Sequence, residues 1–347
     1  MNRRTFMTRS ASALAATSTS GLPFTAQAHK DSKPLRLALI SAASYGRPGE
    51  QRLPGSHHGT AFATVFNGWN EEMAKEVKGP FVRAGKRLSG GRVVKVWDPD
   101  EKAARAMAKA CNIETITQTP EQCAEDVDAV LIVDDGSGAQ WKYAEYPLRK
   151  GIPTFCDKPL AMRAKTAAEI GQLARETETP FMSASSLRFV PDIIQLRREL
   201  PRLGDIHLAT AACGNDLIYY GIHALSMIYA VLGPGAISAM NVGRPDANIA
   251  RIRFKDERDV VLMVGERAKM RAGYQINLYG TNGWKTVTPD LTDLYTYLLE
   301  AFLDLVHSGN ESVPIEEEIE VIAALEASQR SLELGREVSL SEVLQGK

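Results

Sequence analysis

The stretch "LRLALISAASYGRPG" (residues 35–49) decides the fold class of this chain. Its opening run is almost wholly apolar, which is typical of a strand buried on both faces of a parallel sheet. In dinucleotide-binding domains a GxGxxG turn follows this strand and lets the backbone approach a pyrophosphate. This chain instead reads "SAASYG" over residues 41–46. The stretch therefore predicts a dinucleotide-binding type of sheet with an altered phosphate loop.

Buried strands and helices alternate in the segments that follow. The apolar runs "GRVVKVWDPD" (91–100), "DVDAVLIVDD" (126–135) and "GIPTFCDKP" (151–159) predict three further strands. Helical patterns cover "DEKAARAMAKAC" (100–111) and "GAQWKYAEYPLRK" (138–150) between them. This alternation indicates a doubly wound parallel sheet.

The first crossover is unusually long, since about 45 residues separate Gly46 from the second strand. Helical spacing of aromatic residues places a helix within "TAFATVFNGWNEEMAKEV" (60–77). The segment "GSHHGT" (55–60) directly precedes it, so its free N–H groups and the Ser56 hydroxyl are predicted to face the pyrophosphate. Metal binding by His57 and His58 is the weaker alternative, because adjacent histidines point different ways and a third ligand is not evident.

A different pattern begins near residue 187. The segments "NIARIRFKDERDVVLMVGE" (248–266) and "QINLYGTNGWKTV" (275–287) read as hairpins, and helices are predicted over 219–233, 291–308 and 316–334. The predicted fold class is α/β, with an N-terminal Rossmann-type doubly wound parallel sheet followed by an α/β domain with an open, mostly antiparallel sheet. The predicted divisions are a signal peptide, a dinucleotide-binding domain and a substrate domain whose last helix packs back on the first domain, over residues 1–28, 29–160 and 161–347.

The N-terminus reads as a twin-arginine export signal. "NRRTFMTRS" (2–10) places Arg3 and Arg4 before a short Ala/Ser/Thr-rich region that ends in "AQA" at Ala28. A disordered basic tail or a membrane anchor is the alternative, but the apolar region is too short for stable insertion. We therefore expect the Tat export machinery as a partner and a periplasmic or extracytoplasmic location. Because this route carries folded proteins, it favours a tightly bound cofactor.

Composition argues against several classes of function. Lys plus Arg (41) nearly equals Asp plus Glu (42), and basic residues are not interleaved with aromatics, so nucleic-acid binding is not expected. The four cysteines lack CxxC or metal spacing, which predicts buried free thiols and no metal site. A disulfide between Cys111 and Cys123 is the alternative.

Two motifs carry a family resemblance. "CDKPLAM" (156–162) follows the fourth strand, and "YYGIHALSMIYAVLG" (219–233) opens a helix of the second domain. Together they resemble the glucose-fructose oxidoreductase, inositol dehydrogenase and MocA family. The resemblance implies hydride exchange between NAD(P) and a sugar or cyclitol hydroxyl, and a second sheet that holds substrate and often forms a homo-oligomer.

The resemblance also implies roles for individual residues. Lys158 matches the lysine that hydrogen-bonds the reacting hydroxyl and the nicotinamide ribose, and His223 matches the histidine that exchanges the hydroxyl proton. Tyr219 replaces an aspartate of the family; on a helix it would share a face with His223 and relay protons, form a platform for a sugar ring, or simply pack. Arg188 is placed near the substrate, with a structural salt bridge as the alternative.

Cofactor contacts are predicted at the strand ends. Asp98, after the second strand, can accept hydrogen bonds from ribose hydroxyls and would repel a 2′-phosphate, which favours NAD over NADP; a helix N-cap is its alternative role. Gln140 occupies about the place of a family histidine. The remaining predicted cofactor contacts are Ser41, Ala42, Gly46 and Ser56.

The sequence thus predicts an exported oxidoreductase that uses NAD on a hydroxyl or keto group of a sugar-like or cyclitol substrate. Two alternatives stay open at this point. One is a lyase or glycosidase that recycles its NAD. The other is a sugar-binding protein that has lost the dinucleotide.

Overall fold

The computed structural model describes residues 33–41, 56–77, 79–133 and 139–346. These residues belong to one compact unit that contains two sheets. The predicted signal peptide (1–28), Ala42 and Gly46 lie outside the described residues, as does the side chain of Ser41.

The first sheet has six parallel strands in the order β3-β2-β1-β4-β5-β6, which confirms the predicted doubly wound sheet. This is the strand order of dinucleotide-binding sheets, whose ligand crevice lies where β1 and β4 end side by side. The sheet continues past residue 160, the predicted end of the first domain. Its strands are β1 (Leu35–Ser41), β2 (Gly91–Trp97), β3 (Thr115–Ile116), β4 (Ala129–Val133), β5 (Thr154–Cys156) and β6 (Phe181–Met182).

Six helices connect these strands: α1 (His57–Asn67), α2 (Glu71–Ala74), α3 (Glu101–Ala110), α4 (Pro120–Ala124), α5 (Glu145–Arg149) and α6 (Ala164–Glu176). Helix α3 is as predicted. The predicted crossover helix is shorter than its pattern, because Gly68 adopts φ 69°, a left-handed conformation that ends α1. Residues 138–150 likewise form a 3₁₀ turn at Gln140–Tyr143 followed by the short α5, and not one helix.

The second sheet has seven strands in the order β12-β11-β7-β10-β9-β8-β13. All neighbours are antiparallel except β7 and β10, and the hairpins turn at residues 255–258 and 281–282, so the predicted open and mostly antiparallel sheet is confirmed. The elements of this part are α7 (Pro191–Leu203), β7 (Ile206–Gly214), α8 (Gly221–Leu232), β8 (Ala236–Asn241), β9 (Ala247–Phe254), β10 (Asp259–Gly265), β11 (Gln275–Gly280), β12 (Gly283–Val287), α9 (Leu294–Ser308), α10 (Ile315–Leu334), β13 (Val338–Ser339) and α11 (Leu340–Leu344).

Two C-terminal helices return to the first sheet. In α10, the buried Glu326 carboxylate accepts a hydrogen bond from the Ala164 amide at the start of α6 (2.7 Å). In α9, the Phe302 ring packs edge-on against Phe155 of β5, with ring centroids 5.7 Å apart. These contacts join α10 to the start of α6 and α9 to β5. No described helix is long and apolar enough to cross a membrane.

Candidate functional site

Lys158 joins the two sequence motifs in space. It follows β5, and only 8% of its surface is exposed. Its Nζ donates a hydrogen bond to the Tyr219 carbonyl oxygen (3.3 Å) and lies 5.8 Å from the centroid of the Tyr220 ring. The lysine of the first motif is therefore held against the segment that leads into α8, at the carboxyl edge of the first sheet.

Two buried side chains clamp the loop that carries Lys158. The Asp157 carboxylate lies 2.5 Å from Nδ1 of His58, in the first turn of α1. The Gln140 amide nitrogen donates to the Asp157 carbonyl (2.6 Å) and to that of Pro159. Gln140 therefore positions the loop that carries Lys158, a role that the sequence did not indicate. The predicted contact of Gln140 with the cofactor stays a prediction.

His223, the third residue of α8, is fixed by Ser185. Its Nδ1 lies 2.7 Å from the Ser185 hydroxyl oxygen, which also accepts from the Leu187 amide (3.3 Å). Burial lowers the pKa of His223 well below its usual value of 6.5, and the nearby Lys158 and His58 lower it further. The imidazole is therefore neutral at neutral pH and able to accept a proton.

Tyr219 does not lie on α8 as the sequence predicted. The helix begins at Gly221, and the Tyr219 amide is held in the preceding turn by the Asp216 carboxylate (2.9 Å). The prediction that Tyr219 and His223 share one helical face is therefore wrong. The ring of the neighbouring Tyr220 lies 6.3 Å from the His223 ring and borders Lys158, a role that the sequence analysis overlooked within the same "YY" pair.

Asp98 and Ser56 occupy their predicted places on the elements around the crevice. Asp98 follows β2 and is buried, and its Oδ1 accepts a hydrogen bond from the Asp100 amide (2.8 Å). Asp100 is the N-cap of α3, so the alternative role of Asp98 as that cap is wrong. Ser56 begins α1 as predicted, and its hydroxyl oxygen accepts a hydrogen bond from the Gly59 amide (2.8 Å).

Arg188 forms a buried ion pair with Glu317 of α10, which confirms the structural salt bridge that was the alternative to substrate binding. The adjacent Glu318 was missed by the sequence analysis. Its carboxyl group is completely buried, and it has no hydrogen-bond partner among the described residues. Burial raises the pKa of Glu318 to about 8, although the nearby Arg188 opposes this shift. A direct contact of Arg188 with substrate stays a prediction.

A cavity of about 790 Å³ opens beside this site. Tyr220 and Tyr274 line it, and the Tyr274 ring lies 5.4 Å from the His223 ring, so cavity and site share a wall. Arg267 and Arg271, from the segment between β10 and β11, also line it. The sequence signal for this wall is the basic run "ERAKMR" (266–271), which the sequence analysis did not single out.

The described part of the chain holds no cluster of three or more potential metal ligands. His58 faces Asp157, whereas Nδ1 of His57 lies 3.4 Å from the Tyr295 hydroxyl. All four cysteines are buried free thiols, and burial raises the pKa of Cys111 and of Cys123 to about 12.

Comparison with known proteins finds a similarity to oxidoreductases. Residues 58–185 match the sequence model of the oxidoreductase family with an NAD-binding Rossmann fold (GFO_IDH_MocA). The match begins after the altered phosphate loop and includes His58, Asp98, Gln140 and Lys158.

Among curated proteins, the chain is similar to inositol 2-dehydrogenase 4 of Saccharopolyspora erythraea, with 34% identity over 34% of this chain and 36% of that protein. The chain thus matches only about a third of that relative's length. Inositol 2-dehydrogenase of Ralstonia nicotianae is 26% identical over 65% of this chain and 82% of its own length. The solved structure of myo-inositol dehydrogenase from Lactobacillus casei, in complex with NAD(H) and myo-inositol, superposes with a TM-score of 0.71 at 16% identity, over 88% of this chain and 97% of that one. At this identity the superposition shows a shared fold.

Proposed function

We propose that this chain belongs to the glucose-fructose oxidoreductase, inositol dehydrogenase and MocA family and is an NAD-dependent dehydrogenase acting on a CH–OH group of a sugar-like or cyclitol substrate. One observation carries the proposal. Lys158 and His223 come from separate motifs, one in the loop after β5 and one in α8, and both lie beside the Tyr220 ring. A buried cation beside a neutral imidazole is suited to moving the proton of a hydroxyl group.

The described residues fit a dinucleotide. The strand order places a crevice at the ends of β1 and β4, and the buried Asp98 carboxylate stands after β2, where a ribose would lie. A carboxylate there favours NAD over NADP, because it would repel a 2′-phosphate. When bound, NAD would supply the hydride acceptor for the carbinol carbon.

The chain's own residues would handle the hydroxyl proton. The Lys158 ammonium stabilises the oxygen as negative charge develops on it. In the tautomer whose Nδ1–H donates a hydrogen bond to the Ser185 hydroxyl, Nε2 of His223 carries the lone pair that accepts the proton, and burial favours the neutral ring. In the reverse direction the same histidine returns the proton.

Cofactor binding and turnover test this proposal separately. Mass spectrometry of small molecules released by denaturing the protein, followed by thermal melting with added NAD or NADP, should detect bound NAD or a rise in melting temperature with NAD. Absorbance at the NADH band with a panel of cyclitols and sugars then tests hydride transfer. Absence of any nucleotide effect would favour a sugar-binding protein. Substrate conversion without net NADH would indicate a lyase or glycosidase.

We also propose export by the twin-arginine route, on the sequence of residues 1–28 alone. Replacing Arg3 and Arg4 by lysine should keep a reporter fused to this segment in the cytoplasm, whereas the unaltered segment should export it. Equal export of both fusions would contradict the proposal.

A homo-oligomer is the third proposal, with a second copy covering the outer face of the second sheet. Large apolar side chains are exposed on five of its strands, and Trp284 of β12 is 70% exposed. The others on these strands are Leu208, Ile237, Ile249 and Tyr279. An exposed apolar patch of this kind is typical of a protein–protein interface, and two identical copies that share it would be related by twofold symmetry.

A further inference from the structure

From the charge of the cavity we infer that the substrate carries an oxyanion group, a carboxylate or a phosphate, which Arg267 and Arg271 bind. This inference rests on the proposed function, since that function assigns the reacting hydroxyl to Lys158 and His223. It goes further in naming an acidic sugar as the substrate class.

The cavity lies on the substrate side of the site. Every described residue that lines it falls between Cys213 and Leu291, in the second sheet and its connections, and no described residue of the dinucleotide-binding sheet does so. The arginines are therefore not placed to bind the pyrophosphate of NAD. The rings of Tyr220 and Tyr274, which flank His223, form the boundary between cavity and reacting groups.

Among the described residues, the charge of the cavity wall is positive. Two arginines line the cavity, and no aspartate or glutamate of the described ranges does. Among the described residues, neither Arg267 nor Arg271 forms an ion pair, and the guanidinium of Arg267 lies 5.9 Å from the centroid of the Tyr220 ring. Lys158 lies over the same ring at 5.8 Å, so a sugar lying along Tyr220 would meet the reacting lysine near one part and an arginine near another.

The segment that carries both arginines is anchored before any ligand arrives. The Gly214 amide at the end of β7 donates to the Ala272 carbonyl (3.2 Å), and the Asn215 amide donates to the Gly265 carbonyl (2.6 Å). A side chain at Gly214 would meet two carbonyl oxygens of this segment at 3.1 Å, so only glycine allows the approach without displacement. Anchoring lowers the entropy cost of presenting guanidinium groups, which bind carboxylate or phosphate through paired hydrogen bonds.

Calorimetric titration with three matched probes tests the inference: D-glucose, D-glucuronate and D-glucose 6-phosphate, each with and without NAD. We expect at least one acidic probe to bind roughly tenfold or more tightly than glucose. The double variant Arg267→Gln/Arg271→Gln should lose this preference, whereas Lys269→Gln, which removes an exposed cation from the same segment but not from the cavity, should keep it. The preferred acidic probe identifies the group as a carboxylate or as a phosphate.

Two results would overturn the inference: equal binding of all three probes to the wild-type protein, or a preference that persists in the double variant. NAD titrations of the same proteins distinguish a failure of this inference from a failure of the proposed function. Normal NAD binding without an anion preference rejects the acidic substrate alone, whereas an anion preference without NAD binding rejects the dehydrogenase alone.

Discussion

His58 Nδ1 lies 2.5 Å from the Asp157 carboxylate, and both side chains are buried. This contact joins the first turn of α1 to the residue directly before Lys158, across 99 positions of the chain. Helix α1 thus supports the loop that carries Lys158. We expect a change at the start of α1 to affect Lys158 through this contact.

We expect His58→Ala to lower kcat by roughly tenfold to a hundredfold, because Lys158 loses the support of its loop. The variant should also lose about 1–3 kcal/mol of stability, since Asp157 is left buried without this partner. His58→Asn, whose amide can donate to Asp157, should recover much of kcat, and His57→Ala is the matched control. Steady-state kinetics and urea unfolding measure both effects. Equal kcat for the alanine and asparagine variants would reject the positioning role.

Lys158→Ala should reduce kcat by about 10²–10³-fold, because the developing alkoxide loses its charged hydrogen-bond donor. The circular dichroism spectrum should change little, since Lys158 lies on a loop and not in the hydrophobic core. Lys165→Ala, at an exposed position just beyond, is the control. A variant with near-normal turnover would remove Lys158 from the mechanism.

Acid should destabilise the protein through His223. Its folded-state pKa is depressed by burial, so below about pH 6.5 the unfolded chain binds a proton that the folded chain does not. The contribution of neutral, buried His223 to the free energy of unfolding is therefore fully present above pH 6.5 and is lost as the pH falls below that value. Denaturant unfolding at pH 7.5 and pH 5 should show a larger loss for wild type than for His223→Asn, by on the order of 1 kcal/mol. Parallel losses would show that His223 titrates normally in the folded protein.

Glu318 predicts the opposite dependence at higher pH. Burial raises its pKa to about 8, so between about pH 4.5 and 8 the folded chain holds a proton that the unfolded chain releases. Stability from this group therefore falls as pH rises through that range. Glu318→Gln should gain roughly a few kcal/mol relative to wild type between pH 5 and pH 8. Glu333→Gln, at an exposed position of α10, should show no such gain. If Glu318→Gln shows no gain in stability either, the raised pKa of Glu318 is contradicted.

Trp284→Lys should convert an oligomer into smaller species, because it places a charge on the exposed apolar face of the second sheet. Light scattering after size-exclusion chromatography measures the mass of wild type and variant. Lys269→Gln, outside this face, should leave the mass unchanged. A wild-type mass equal to that of one chain would reject the proposed oligomer.

The sequence by itself determined the two sheets and most of their elements. The apolar run before Ser41, the amphipathic pattern of α3 and the "TNG" turn between β11 and β12 each reflect interactions within a few residues. Strand alternation, helical periodicity and turn chemistry are local, so they can be recognised along the chain. The family motifs added the expectation that Lys158 and His223 act together.

Only the tertiary structure decided which side chains meet at the site. The Tyr220 ring borders both Lys158 and His223, and α8 begins two residues later than the start of its motif. Gln140 clamps the lysine loop, and Arg188 pairs with Glu317 from a helix 129 positions away. Such partners depend on which distant segments the topology packs together and on the turn at which each helix begins. Neither is encoded in the spacing of nearby residues, so the sequence located the site and the packing selected its contacts.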